Sequence, residues 1–148
     1  MYERILVATD GSDTAARACS VALRLAADQK ARLRVLSVVS FAYLSAILGG
    51  ACTGELLRRM REEAKSTLDA VEAAAGNAEV EVEPKLLEHH STQIGEAIIE
   101  DAQKWQADLI VMGTHGRRGF ARPGMGSDAE FVSTHAPVPV LLVRSIPA

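Results

Sequence analysis

The sequence predicts an α/β domain built on a parallel five-stranded sheet with helices on both faces. Short β-branched runs alternate with longer segments of helical periodicity, in the order β-α-β-α-β-α-β-α-β. That alternation is the mark of parallel strands joined by crossover helices. The first run, Ile5-Leu6-Val7-Ala8, is continuously apolar, as a strand covered on both faces should be. Two polar, glycine-containing loops follow strand-like runs: Thr9-Asp10-Gly11 after the first, and a longer loop after Leu109-Ile110-Val111-Met112. In such folds ligands collect outside the carboxyl ends of the strands. If these two strands are neighbours, the two loops face one cleft.

The elements follow in order. Ser12 reads as an N-cap with Asp13 in the first helical turn. An alanine-rich helix to about Asp28 then sets Ala15, Ala18, Ala22 and Leu25 on one face, with Cys19 and Ala26 beside them. Leu33 to Val39 is the second strand. The connection from Ser40 to Thr53 mixes apolar residues with glycine, and its conformation stays open. Gly54 to about Ala75 is an amphipathic helix, with Leu57, Met60, Ala64, Leu68 and Val71 at helical spacing and a solvated charged face opposite. Gly76-Asn77 stops it. Val80, Val82, Leu86 and Leu87 mark the third strand, and Pro84 places it at an edge because proline cannot donate to a ladder. Ser91-Thr92 are expected to cap a helix running to about Trp105. Asp108 to Met112 is the fourth strand, Ser127 to His135 a short helix, and Val138 to Val143 the fifth strand, with Pro137 and Pro139 again suggesting an edge.

A chain of 148 residues fits a single domain over residues 1–148. The net charge of −3 gives no electrostatic case for nucleic acid or an anionic membrane as partner. No apolar run approaches the roughly 20 residues of a membrane span. Met1 to Arg4 lead straight into a strand, so no signal peptide is expected and a cytoplasmic location is the default. Cys19 and Cys52 lack a CxxC spacing and read as free thiols, with a disulfide as the alternative. His89-His90 have no carboxylate or cysteine cluster at metal-ligand spacing. There is no GxSxG, no Cys/His nucleophile arrangement and no evident pair of catalytic carboxylates. Catalysis is therefore not the expectation.

The long loop holds Gly113, Gly116, Gly119, Gly124 and Gly126, with Arg117, Arg118 and Arg122 among them, and ends at Gly126-Ser127 where a helix begins. A strand, a glycine-rich loop and a helix N-terminus in that order make a candidate anion cradle, because glycine permits close backbone approach and the first helical N–H groups are free. It is not a P-loop, since no lysine follows a glycine. Gly124-Met125-Gly126 with Ala129 fits only a loose GxGxxA, set far from its strand. Asp10 suits a ribose, a base or a metal-bound water, and equally suits a turn or cap. His115 reads as solvent-exposed or phosphate-adjacent.

Taken together, ILVATDGSDTAARA, GTHGRRG, the following GS and the terminal HAPVPVLLVR resemble the universal stress proteins over nearly the whole chain. The resemblance implies a Rossmann-like sheet of strand order 3-2-1-4-5 and a homodimer paired through the last strand, Val138 to Val143. Members that bind ATP carry G-x2-G-x9-G-[ST], matched here at Gly113, Gly116, Gly126 and Ser127. By that resemblance Ala8, Thr9 and Asp10 border the nucleoside, Val38 meets adenine with its backbone, and Met112 lines the pocket. Gly126 and Ser127, with the backbone of Asp128 and Ala129, hold the phosphates, accompanied by Mg2+. The implied role is a nucleotide-responsive regulatory protein in stress response. The alternative is a dimeric interaction module of the same fold that does not depend on ATP and acts on an unidentified protein partner. The chain departs from the family's usual pattern in ARPGMGS, where a more apolar stretch is common, and at Asp128, where a small or apolar residue is common. A carboxylate beside a triphosphate adds like-charge repulsion of about 1 kcal/mol, unless it helps to hold the metal.

Overall fold

The computed structural model describes residues 1–50, 53–115 and 125–145. Its strands are β1 (Arg4–Ala8), β2 (Arg32–Ser40), β3 (Val82–His89), β4 (Leu109–Gly113) and β5 (Val140–Val143). Its helices are α1 (Asp13–Gln29), α2 (Phe41–Ile47), α3 (Gly54–Gly76), α4 (Ile94–Trp105) and α5 (Ser127–His135). The strands form one sheet in the order β3-β2-β1-β4-β5, and every pairing is parallel. The expected order 3-2-1-4-5 is thus the observed one. β1 lies between β2 and β4, so the chain leaves its carboxyl end in one direction and that of β4 in the other. That divergence opens a crevice at the switch point.

Each face of the sheet carries its own core. On one side Ile5, Val7, Leu33, Val35 and Val111 pack against Ala18, Cys19, Ala22 and Ala26 of α1. On the other, Leu6, Leu36, Ile110 and Met112 pack against Ile98, Ala102 and Trp105 of α4 and against Ala129 and Val132 of α5. Alanine along α1 removes the bulk that would hold the helix away from the strands. Ser12 caps α1, its hydroxyl accepting the Ala15 N–H at 3.2 Å. Lys30 ends the helix in the left-handed region, at φ 55°, where its N–H reaches the Ala26 and Ala27 carbonyls.

One open segment is filled and three local expectations are revised. The Ser40–Thr53 connection contains α2, whose N-cap Ser40 accepts the Tyr43 N–H at 3.1 Å and donates to the Ser91 carbonyl at 2.6 Å. The third strand starts at Val82, two positions past Val80, because Glu79 turns the chain at φ 54°. Ser91-Thr92 do not cap α4. The Ser91 hydroxyl is taken up by the Gln93 N–H, and Gln93 itself occupies the N-cap without a side-chain bond. The fifth strand begins at Val140, after the prolines that cannot donate to a ladder. Pro84 does lie in an edge strand. No helix among the described residues is long and apolar enough to cross a membrane.

A charged cluster is enclosed between β2, β3 and α4. Arg34 Nη1 donates to both Asp101 oxygens, at 3.2 and 3.0 Å, and Lys85 Nζ reaches the same carboxylate. Arg34 Nη2 donates to Glu83, whose other oxygen accepts the Trp105 Nε1–H at 3.0 Å. The Arg34 guanidinium lies 4.9 Å from the Trp105 ring centroid.

Cys19 is a free, buried thiol, and Cys52 lies outside the described residues. Burial pushes the Cys19 thiol from 9.0 up to about 11, against a lowering hydrogen bond from Thr9. Below pH 9 the thiol is neutral in both folded and unfolded chains. As pH rises from 9 through about 11 the unfolded chain ionises first, so stability is lost over that window. The full loss, once both states are ionised, is about 3 kcal/mol. Urea unfolding at pH 8 and pH 10.5 should show the drop, and Cys19→Ala should reduce it; an equal drop in the variant would assign the loss to other groups.

Candidate functional site

A cavity of about 390 Å³ opens at the carboxyl ends of β1, β2 and β4. Its first wall is the turn after β1. The Thr9 N–H bonds the Leu36 carbonyl at 2.9 Å, which holds the chain against β2 for one more residue. Gly11, at φ 81°, donates its N–H to the Thr9 hydroxyl at 3.2 Å, and Asp10 Oδ1 accepts the Ser12 N–H at 2.9 Å. Asp10 therefore shapes the turn into α1 while its exposed side chain stays at the cavity.

The second wall arises because β2 outruns β1. Their last pair is Ala8 with Leu36, whereas β2 continues to Ser40 along β3. Leu36 directs its carbonyl toward β1, at Thr9. Backbone direction repeats every second residue in a strand, so Val38 turns its N–H and C=O the same way, past the end of β1 and over the cavity. A donor and an acceptor thus stand side by side at a point where the sheet supplies no neighbour.

The third wall joins β4 to α5. Gly113 ends β4 against α1, and a Cβ there would meet Thr14 Cγ2 at 2.7 Å and the Thr14 carbonyl carbon at 3.3 Å. Glycine is required by that close approach. The Thr114 N–H bonds the Val143 carbonyl at 2.9 Å, and the Thr114 carbonyl accepts the Gly126 N–H at 2.7 Å. Gly126 is the N-cap of α5 and offers no side-chain cap. The first helical bond runs from Glu130 N–H to the Gly126 carbonyl at 2.9 Å, leaving the N–H groups of Ser127, Asp128 and Ala129 outside the helical ladder. All three residues line the cavity. Such a helix end receives anions. His115 stands nearby, with Nδ1 at 3.0 Å from the Thr114 hydroxyl and a buried Nε2 that has no hydrogen-bond partner among the described residues.

The fourth wall is apolar. Tyr43, Leu44 and Ile47 of α2, Met60 and Ala64 of α3 and Ile98 of α4 line it. The arrangement suits a flat, largely apolar ring with a polar edge at Val38 and a negatively charged tail at α5. Among the described residues, no group of three or more His, Cys, Asp or Glu is placed to hold a metal ion by itself. Asp10 and Asp128 both line the cavity and are the carboxylates nearest to hand for a cation brought in with an anionic ligand.

Of the residues singled out in the sequence, the structure brings Ala8, Thr9, Asp10, Val38, Met112, Gly113, Gly126, Ser127, Asp128 and Ala129 around this one cavity. Gly116, with Arg117, Arg118 and Arg122, lies outside the described residues. The α2–α3 wall has no signal of its own in the sequence. Met60 and Ala64 sit on the apolar stripe of α3, and that stripe reads identically whether it faces a core or a cavity.

The fold is therefore of the doubly wound α/β class, with its cavity at the switch point and a helix N-terminus directed into it. The chain belongs to the universal stress protein family, whose model matches residues 1–144. It is 39% identical to a universal stress protein of Thermus aquaticus, over 97% of this chain and 100% of that one. Universal stress protein UspA from Lactobacillus plantarum superposes with a TM-score of 0.81 at 27% identity, covering 97% of this chain and 98% of the other. A universal stress protein from Archaeoglobus fulgidus, solved in complex with dAMP, superposes with a TM-score of 0.68 at 28% identity, covering 96% and 98%.

Proposed function

We propose that this chain binds ATP in the switch-point cavity and works as a nucleotide-responsive regulator in stress response. One observation carries the reading: Val38, where β2 runs on past the end of β1, and the N-terminus of α5, which has no side-chain cap among the described residues, line the same cavity. The pair at Val38 matches the edge of adenine, the α2–α3 wall gives the ring an apolar bed, and Ala8, Thr9 and Asp10 border the ribose. Gly113 and the N–H groups of Ser127, Asp128 and Ala129 receive the phosphates. The dAMP complex of the Archaeoglobus relative supports an adenine nucleotide as the ligand class. When Mg2+ accompanies the triphosphate it neutralises phosphate charge, and Asp10 and Asp128 are the side chains that would hold it.

A regulatory ligand acts only if it binds two states of the protein unequally. The surface through which such a change is read is the β5 edge, pairing with a second copy of the chain. The test is calorimetric titration of the purified protein with ATP and Mg2+. Saturable binding with one site per chain is expected. Absence of binding at millimolar ATP would overturn the reading and leave the ATP-independent interaction module in its place.

A further inference from the structure

α2 lies against a void. Its seven residues carry no charge, and Tyr43, Leu44 and Ile47 line the cavity together with Met60 and Ala64 of α3 and Ile98 of α4. Among the described residues each of the other helices packs along a strand or a second helix, whereas α2 packs closely along none. None of its residues is buried, and Phe41, Ile47 and the C-cap Leu48 are 49, 38 and 41% exposed. A helix this short does not hold itself in water, so its ends must hold it. At one end the Ser40 hydroxyl takes the Tyr43 N–H and donates to the Ser91 carbonyl. At the other, the Leu48 and Gly50 N–H groups close on the Leu44 and Ser45 carbonyls at 3.0 and 2.8 Å. That closure needs Gly49 and Gly50 at φ 62° and 86°, in the left-handed region that glycine enters freely. Neither glycine lines the cavity, and a Cβ on either would meet nothing within 4 Å among the described residues.

We propose that α2 is the two-state element through which the site responds to its ligand: a base in the cavity sets the helix in place, and an empty cavity leaves it loose. The inference rests on the nucleotide reading above. Without a ligand, Tyr43, Leu44 and Ile47 border open space and forfeit contact on that side. A flat ring supplies the missing surface, so α2 orders as the base enters. The phosphates belong to the N-terminus of α5, and α2 has no charge on which they could act. The trigger is therefore the base and not the phosphate. A base that binds only the set state binds more weakly by the fraction of time α2 is set.

Hydrogen exchange of the full chain reads α2 directly, with adenosine, with ATP and Mg2+, or with inorganic triphosphate and Mg2+, and calorimetry gives the occupancy. At saturating adenosine or ATP the Tyr43, Leu48 and Gly50 amides should exchange about tenfold more slowly or better, and with triphosphate at the rate of the free chain. Bound adenosine with unchanged exchange, or α2 amides as protected as those of α1 in the free chain, overturns α2 as the moving element and leaves the nucleotide reading intact. Equal slowing by triphosphate overturns the base as the trigger. Gly50→Ala, outside the cavity lining, penalises the left-handed turn that closes α2. It should weaken adenosine and ATP by one common factor of about three or more. Unchanged adenosine affinity in this variant overturns the inference while ATP binding stands. Failure of both adenosine and ATP to bind the wild type removes this inference and the nucleotide reading together.

Discussion

Asp101→Ala is expected to lower the unfolding free energy by about 3–5 kcal/mol, the range for removing one partner of a buried ion pair. Asp101 is 2% exposed and receives two hydrogen bonds from Arg34 and one from Lys85. Its removal strands the charge of Arg34, a residue 9% exposed whose Nε has no partner among the described residues. Glu83 would remain on Arg34 but lies at the solvent side of the cluster, its side chain 43% exposed. Urea unfolding measures the loss. Replacing Arg34 and Asp101 together by Met and Leu should recover most of it, because a well-packed apolar pair carries no desolvation cost. A loss under about 1 kcal/mol in the single variant would show that water reaches the cluster. Burial alone would raise the Glu83 carboxyl, but the hydrogen bond and charge of Arg34, aided by Trp105 and Arg32, outweigh it and hold the group below its ordinary value. The stability this supplies is present above the ordinary glutamate range and lost as pH falls through the lowered value.

Ser127→Glu should separate helix stability from ligand affinity. A carboxylate in the first turn of α5 complements the helix dipole by about 0.3–1 kcal/mol. The same charge stands where a triphosphate is to be received, and ATP affinity should fall about ten- to a hundredfold, that is by about 1.4–2.8 kcal/mol. Thermal unfolding without nucleotide should be unchanged or slightly raised. Calorimetry with ATP and Mg2+ reads the affinity, and an affinity equal to wild type would mean that the phosphates lie elsewhere.

The sheet was legible because its signals are side-chain patterns. Continuous apolar runs at Ile5 and Leu109 and prolines at 84, 137 and 139 marked inner and outer strands, and the structure agrees. The convergence of the loops after β1 and β4 followed from topology alone. Asp10 left two roles open, turn and cavity residue, and the structure gives it both. What stayed hidden was of another kind. The exposed peptide groups at Val38 come from the unequal lengths of β1 and β2, which no side chain announces; that residue was reached only through family resemblance. Phe41 to Ile47 have too few polar residues to show a helical period, so α2 could not be placed. Ser91 looked like a cap, but its hydroxyl is spent on a turn one step too early.

α2 has consequences for how such a protein diversifies. It supplies Tyr43, Leu44 and Ile47 to the cavity, yet none of its residues is buried. It is tied down at its first turn by Ser40 and released at Gly49-Gly50, where φ is 62° and 86° and the space beside each Cα is open. The sheet and α1 would not register a substitution in this roof. Ligand preference can therefore drift, residue by residue, over a scaffold whose folding is indifferent to the change: selection on what is bound and selection on what stays folded act on separate stretches of the chain.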